Sequence, residues 1–70
     1  MKNYEGKTIR LLKMNNDPHP IPLGTKGVVT KQQVVTLGGI TEIHLEVDWE
    51  IKRSLKVILP EDEVEIIEEP

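Results

Sequence analysis

The sequence predicts a small all-β domain built from five short strands. The apolar residues are almost all Ile, Val and Leu, and β-branched side chains suit a pleated, half-buried surface. Several short segments alternate apolar and polar residues, and none keeps a 3.6-residue period. A chain of 70 residues has room for one domain, so we treat residues 1–70 as a single unit.

The first strand and the loop after it are predicted from residues 7–24. Ile9 and Leu11 alternate with polar neighbours and predict a strand with one inward face. Pro18, Pro20 and Pro22 then fix the backbone at every second position, which excludes a helix or a central strand. We therefore expect a long, ordered, Pro-rich first loop, followed by a turn or bulge at Gly24–Gly27.

The remaining strands follow from glycine, proline and alternation. Gly38 and Gly39 indicate a hairpin turn, and the strand after it carries its apolar residues on one face from Ile43 to Trp49. Residues 54–59 alternate in the same way. Pro60 and the acids after it favour a short helical turn, and residues 64–67 form a closing strand.

This order of elements predicts a five-stranded SH3-like barrel with a long Pro-rich first loop and a short helical turn before the last strand. Closing the sheet removes the exposed edges that a small β-protein must protect. The shared alternation predicts a core made of Ile9, Leu11, Val29, Leu45, Val47, Leu55, Val57 and Ile66.

One stretch of the chain carries a family resemblance. Residues 9–29 contain Ile-Arg-Leu, then Met14, Asp17-Pro18, Pro20-Ile21 and Gly24-Thr25-Lys26-Gly27-Val28, and Trp49 and Ser54-Leu55 follow later. This pattern resembles domain-of-unknown-function family 4314. The resemblance implies a small SH3-like protein of bacteria, phages or other mobile elements, without an agreed activity. The longer second and third strands and the absence of Gly from residues 50–53 depart from the family pattern.

Catalysis, metals and cofactors are not expected. A nucleophile needs a base and an orienting group within hydrogen-bond reach, and the chain has only His19, His44 and Ser54 to supply them. Asp17 and His19 make at most an incomplete metal site, as do the polar residues that alternate with Ile43–Trp49. We predict a protein that binds without catalysing a reaction.

The candidate binding residues lie in three places. Asp17, Pro18 and Pro20 belong to the Pro-rich loop, where Asp17 is also a natural acceptor for nearby backbone amides. Trp49 ends its strand in phase with core residues, so both a core role and a ligand platform are open. Lys52 and Arg53 lie in the next turn and Arg10 in the first strand, and these cations would complete a charged pocket.

Three functions remain open. The first is a protein-interaction or adaptor module, which the fold and the lack of a catalytic set favour. The second is binding of nucleic acid through Lys7, Arg10, Lys13, Lys26 and Lys31, which a pI near 5.3 and few aromatic residues disfavour. The third is a counter-defence sponge that sequesters a small, cyclic nucleotide in an oligomer, with Arg10, Trp49, Lys52 and Arg53 at its pockets.

Charge and composition bound the setting. The net charge is −3, yet six of the twelve acids lie in residues 61–70 and all nine basic residues precede them. No apolar segment is long enough for a membrane span or a signal peptide, so we expect a cytoplasmic protein without membrane contact. A core this small without cysteine favours a homo-oligomer, with Ile51, Ile58 and Ile67 as the expected contacts.

Overall fold

The protein is an antiparallel sheet of five strands. A computed structural model describes residues 3–14 and 18–67. Within them the strands are β1 (Thr8–Lys13), β2 (Lys26–Leu37), β3 (Ile40–Trp49), β4 (Val57–Leu59) and β5 (Glu63–Ile66), and the described residues contain no helix. The strand order is β4-β3-β2-β1-β5, so the all-β class and the five strands are confirmed.

The predicted closure of the barrel is wrong. The described part of the sheet is open, with β4 pairing only with β3 and β5 only with β1. The outer edge of β4 is already occupied, because Asp62 Oδ2 accepts the Ile58 N–H at 2.9 Å and the Asp62 N–H donates to the Ile58 carbonyl at 2.8 Å. Groups paired in this way cannot join a closing ladder, and such capping protects an edge strand.

The predicted helical turn before the last strand is also absent. Residues 60–62 form a tight turn, and the Leu59–Pro60 peptide bond is cis. Asp62 is one of the acids that predicted a helix N-terminus. It is buried instead and accepts a hydrogen bond from the Ile58 N–H of β4. The three residues between β4 and β5 are fewer than the about 3.6 that one turn of α-helix takes.

The core follows the predicted alternation closely. Five of the expected residues are buried, namely Ile9, Leu11, Val29, Leu45 and Val57. Val47, Leu55 and Ile66 are half-buried and pack against them. The core also contains Trp49 and Ile21, and Ile21 from the Pro-rich segment was not among the residues expected there.

The connection from β1 to β2 is only partly described. Residues 18–25 carry neither helix nor strand, and Ile21 anchors them in the core. Thr25 holds the end of the segment, since its Oγ1 donates to the Pro22 carbonyl at 2.6 Å. Asp17 lies outside the described residues, so the order of the whole loop stays a prediction.

A long hairpin extends beyond the rest of the sheet. Strands β2 and β3 pair from Gly27–Trp49 to Leu37–Ile40, with a register shift between Val29 and Lys31. Gly38 and Gly39 form the two-residue turn with φ of 60° and 80°, the conformation that suits a tight hairpin. Strand β1 pairs with this hairpin only near its base, and β4 pairs with β3 no closer to the turn than Ile43. We call residues 33–42 the hairpin arm.

Candidate functional site

The Pro-rich segment and the loop between β3 and β4 meet at one point. The Arg53 guanidinium donates a hydrogen bond to the His19 carbonyl. Arg53, Pro18 and Pro20 are all exposed, whereas Ile21 beside them is buried. Two of the regions expected to form a binding surface are therefore neighbours.

Trp49 lies in the core rather than on the surface. Its side chain is only 5% exposed, and its indole N–H donates to the Leu55 carbonyl at 3.0 Å. Gly27, opposite Trp49 on β2, leaves the space that the indole ring fills, because a Cβ there would lie 3.0 Å from Trp49 Cε3. The tryptophan thus fixes the loop after β3 from inside.

A groove of about 740 Å³ runs between the second half of β3 and the loop that Trp49 holds. Four of its lining residues are apolar: Met14, Val47, Leu55 and Ile58. Its charged lining residues are Glu46, Asp48, Glu61, Asp62, Arg53 and Lys56. We call this surface the acidic groove, since its carboxylates outnumber its cations.

The elements around the acidic groove hold it open in a defined shape. The Thr30 hydroxyl donates to the Glu46 carbonyl at 3.1 Å across the register shift of the β2–β3 ladder. Leu55 is fixed by the Trp49 indole, and Asp62 is fixed against Ile58. A site with such supports is preformed, which lowers the entropic cost of binding.

Of the other expected binding residues that the structure describes, only Arg53 lines the acidic groove. Arg10 lies on β1 and makes an ion pair with Glu65 at 2.8 Å, and Lys52 is exposed in the loop after β3. Sequence reasoning missed the acids as part of a site. Glu46 and Asp48 alternate along one strand, but only the folded turn after β4 brings Glu61 into the lining of the same groove.

His44 and Ser54, two of the side chains considered for catalysis, lie on different elements. The imidazole of His44 contacts Glu42 at 3.2 Å on the hairpin arm, and Ser54 lines the acidic groove. In the described ranges, no three His, Asp or Glu side chains gather as they would around a metal ion. Nor do these ranges include a helix with the length and hydrophobicity to cross a membrane.

A second, smaller cleft lies at the open side of the sheet. It has a volume of about 450 Å³, and Tyr4, Leu12, Ile43, Leu59 and Val64 line it. It occupies the space between the β3–β4 and β1–β5 ends that a closed barrel would have filled. Its apolar lining places it beside the core, away from Arg53 and the Pro-rich segment.

Comparison with known proteins gives one finding. No curated protein and no solved structure matches the chain. A family model described as "Domain of unknown function (DUF4314)" matches residues 1–67 of the 70. Because that match spans nearly the whole sequence, this chain belongs to the DUF4314 family.

Proposed function

We propose that this protein is a non-catalytic protein-interaction module, of the adaptor kind, whose acidic groove binds a basic segment of a partner protein. The observation that carries the proposal is the groove itself, whose lining combines four apolar residues with four carboxylates. We place it in the cytoplasm of a bacterium or in a phage or mobile element, as the sequence pattern suggests.

The chemistry of the lining supports a peptide with both basic and apolar side chains. Val47, Leu55 and Ile58 offer apolar area, which provides most of the free energy of peptide binding. Asp48 and Glu61 are exposed at the rim, where carboxylates select cationic partners and speed association. Arg53 is held by the His19 carbonyl and so closes one end.

The two alternative functions receive less support. A nucleotide carries negative charge and would face four carboxylates in the groove against two cations. Nucleic acid needs a basic face, yet Arg10 is paired with Glu65, and Lys31 lies 3.9 Å from Glu46. Both remain predictions, and both enter the test as competing probes.

The experiment uses the single tryptophan as its reporter. Trp49 donates to the Leu55 carbonyl, and Leu55 lines the groove, so occupancy should change the indole fluorescence. The probes are a ten-residue Lys/Leu peptide, a Glu/Leu peptide of equal length, a cyclic dinucleotide and an oligothymidylate. We expect binding of the Lys/Leu peptide at least about tenfold tighter than that of the other three.

Matched variants locate the binding site. Asp48→Asn and Glu61→Gln together should weaken the Lys/Leu peptide by about fivefold or more, since each removes a rim charge. Glu65 lies outside the groove, so Glu65→Gln should leave the affinity for the Lys/Leu peptide within about twofold of the parent value. Tighter binding of either nucleotide probe, or equal effects of the groove and control variants, would refute the proposal.

A further inference from the structure

The hairpin arm has an open strand edge. Strand β1 pairs with β2 only from Lys26 to Val28, and the N-terminal segment then covers β2 as far as Gln32. Over the described residues, no strand pairs with the same side of β2 from Val34 to Leu37. An unpaired edge of this kind is a template for another strand.

The backbone groups on that edge can be identified from the pairing. The Gln32 N–H points away from β3, because it donates to Glu5 Oε2 at 2.9 Å. Backbone groups of alternate residues in an antiparallel ladder point to the same side. The N–H and carbonyl groups of Val34 and Thr36 therefore also point away from β3.

The arm also exposes apolar side chains that the small core does not use. Leu37 is 80% exposed and Ile40, opposite it, is 67% exposed. Ile51, Ile58 and Ile67 are half-buried, and their expected role as oligomer contacts stays a prediction. The exposed apolar surface thus lies next to the free strand edge.

We infer that two copies of this chain pair antiparallel along the β2 edges of their hairpin arms, with Val35 on the two-fold axis. In this register the N–H of each Val34 donates to the Thr36 carbonyl of the second copy. The N–H of each Thr36 donates to the Val34 carbonyl in return. The pairing satisfies the outward N–H and carbonyl groups of Val34 and Thr36 and does not use the Gln32 N–H, which donates to Glu5.

Side chains in this register fit a symmetric interface. Val35 meets Val35 of the second copy, and Leu37 lies opposite Gln33, so no like charges are directly opposed. The two Glu42 side chains, each opposite Val35 on β3, are about three strand spacings or 14 Å apart. That separation exceeds the Debye length of about 8 Å at physiological ionic strength.

A second copy fits this edge better than an unrelated strand does. The segment from Gln32 to Leu37 contains none of the charges or prolines that protect edge strands from self-pairing. The arm supplies fewer than the roughly 20–30 residues per partner of a standard interface. The dimer is therefore of the weak, reversible class, and it is independent of the acidic groove.

Cysteine cross-linking tests the register directly, because the chain contains no cysteine. In Val35→Cys the two Cα atoms would lie about 4.5 Å apart, which is within the range that a disulfide spans. The control is Thr41→Cys, which is more exposed than position 35 but lies on β3, far from its symmetry mate. We expect Val35→Cys to cross-link at least about tenfold faster under mild oxidation.

Sedimentation of the cysteine-free protein gives a second readout. We expect the protein to dimerise with a dissociation constant below about 500 µM. Val35→Lys should abolish the dimer, and Thr41→Lys should retain it. A monomer at that concentration would overturn the inference. So would equal cross-linking rates for the two cysteine variants, since random collision favours the more exposed position.

Discussion

Replacing Gly27 by Ala tests how tightly β2 and β3 are packed at the base of the hairpin. Gly27 does not have the positive φ of the other four glycines, so alanine fits its backbone. An added Cβ would lie 2.5 Å from Val47 Cγ1, 3.0 Å from Trp49 Cε3 and 3.1 Å from the Asp48 carbonyl oxygen. These neighbours must move.

The expected cost combines two opposing terms. Overpacking a well-packed site costs about 1–3 kcal/mol. Replacing glycine by alanine lowers the conformational entropy of the unfolded chain, which raises the free energy of unfolding by about 0.4–1 kcal/mol. We therefore expect Gly27→Ala to lower the free energy of unfolding by about 1–2 kcal/mol. For a domain of this size that is a fall of roughly 4–16 °C in Tm, measured by far-UV circular dichroism.

The control is the same change in a Val47→Ala background. Removing Cγ1 of Val47 relieves the closest contact, so Gly27→Ala should then cost less than about 0.5 kcal/mol. The reasoning fails if Gly27→Ala alone melts like the parent protein. It fails equally if Gly27→Ala lowers the free energy of unfolding by the same amount in both backgrounds, since the contact between the added Cβ and Val47 would then not be the cause.

The other stability predictions concern the two side chains that hold the loops. Trp49→Ala should cost about 3–5 kcal/mol and Trp49→Phe about 1–2 kcal/mol, because Phe keeps most of the packing but loses the donor to Leu55. Urea unfolding followed by circular dichroism measures both, and a Trp49→Phe variant as stable as the parent protein would contradict the role of the indole N–H. Asp62→Ala should cost about 1–3 kcal/mol by leaving the Ile58 N–H unpaired, and Asp62→Asn less than half of that. A loss for Asn as large as that for Ala would show that the amide oxygen cannot replace the carboxylate.

Alternation and turn chemistry determined the strands of this protein. Ile9, Leu11, Leu45 and Val57 alternate with polar residues, so the buried face of each strand is readable from local sequence. The hairpin turn was equally local, because Gly38 and Gly39 supply the positive φ that a two-residue turn requires. The likeness of residues 9–29 to a known family was also a property of the sequence alone.

Only the tertiary structure decided whether the sheet closes. The acids after Pro60 are equally suited to the start of a helix and to a strand cap. The choice depended on whether Asp62 reached Ile58, which are four residues apart on different elements. The proposed binding surface was decided in the same way, because Glu61 joins Glu46 and Asp48 in the lining of one groove only through the turn before β5. Ile21 is buried although it lies between two prolines in a segment without an alternating apolar pattern. The burial of a loop residue depends on what folds over it. Strand faces follow from alternation along the sequence, whereas closure and grooves follow from contacts that form only when the elements pack, which no local pattern encodes.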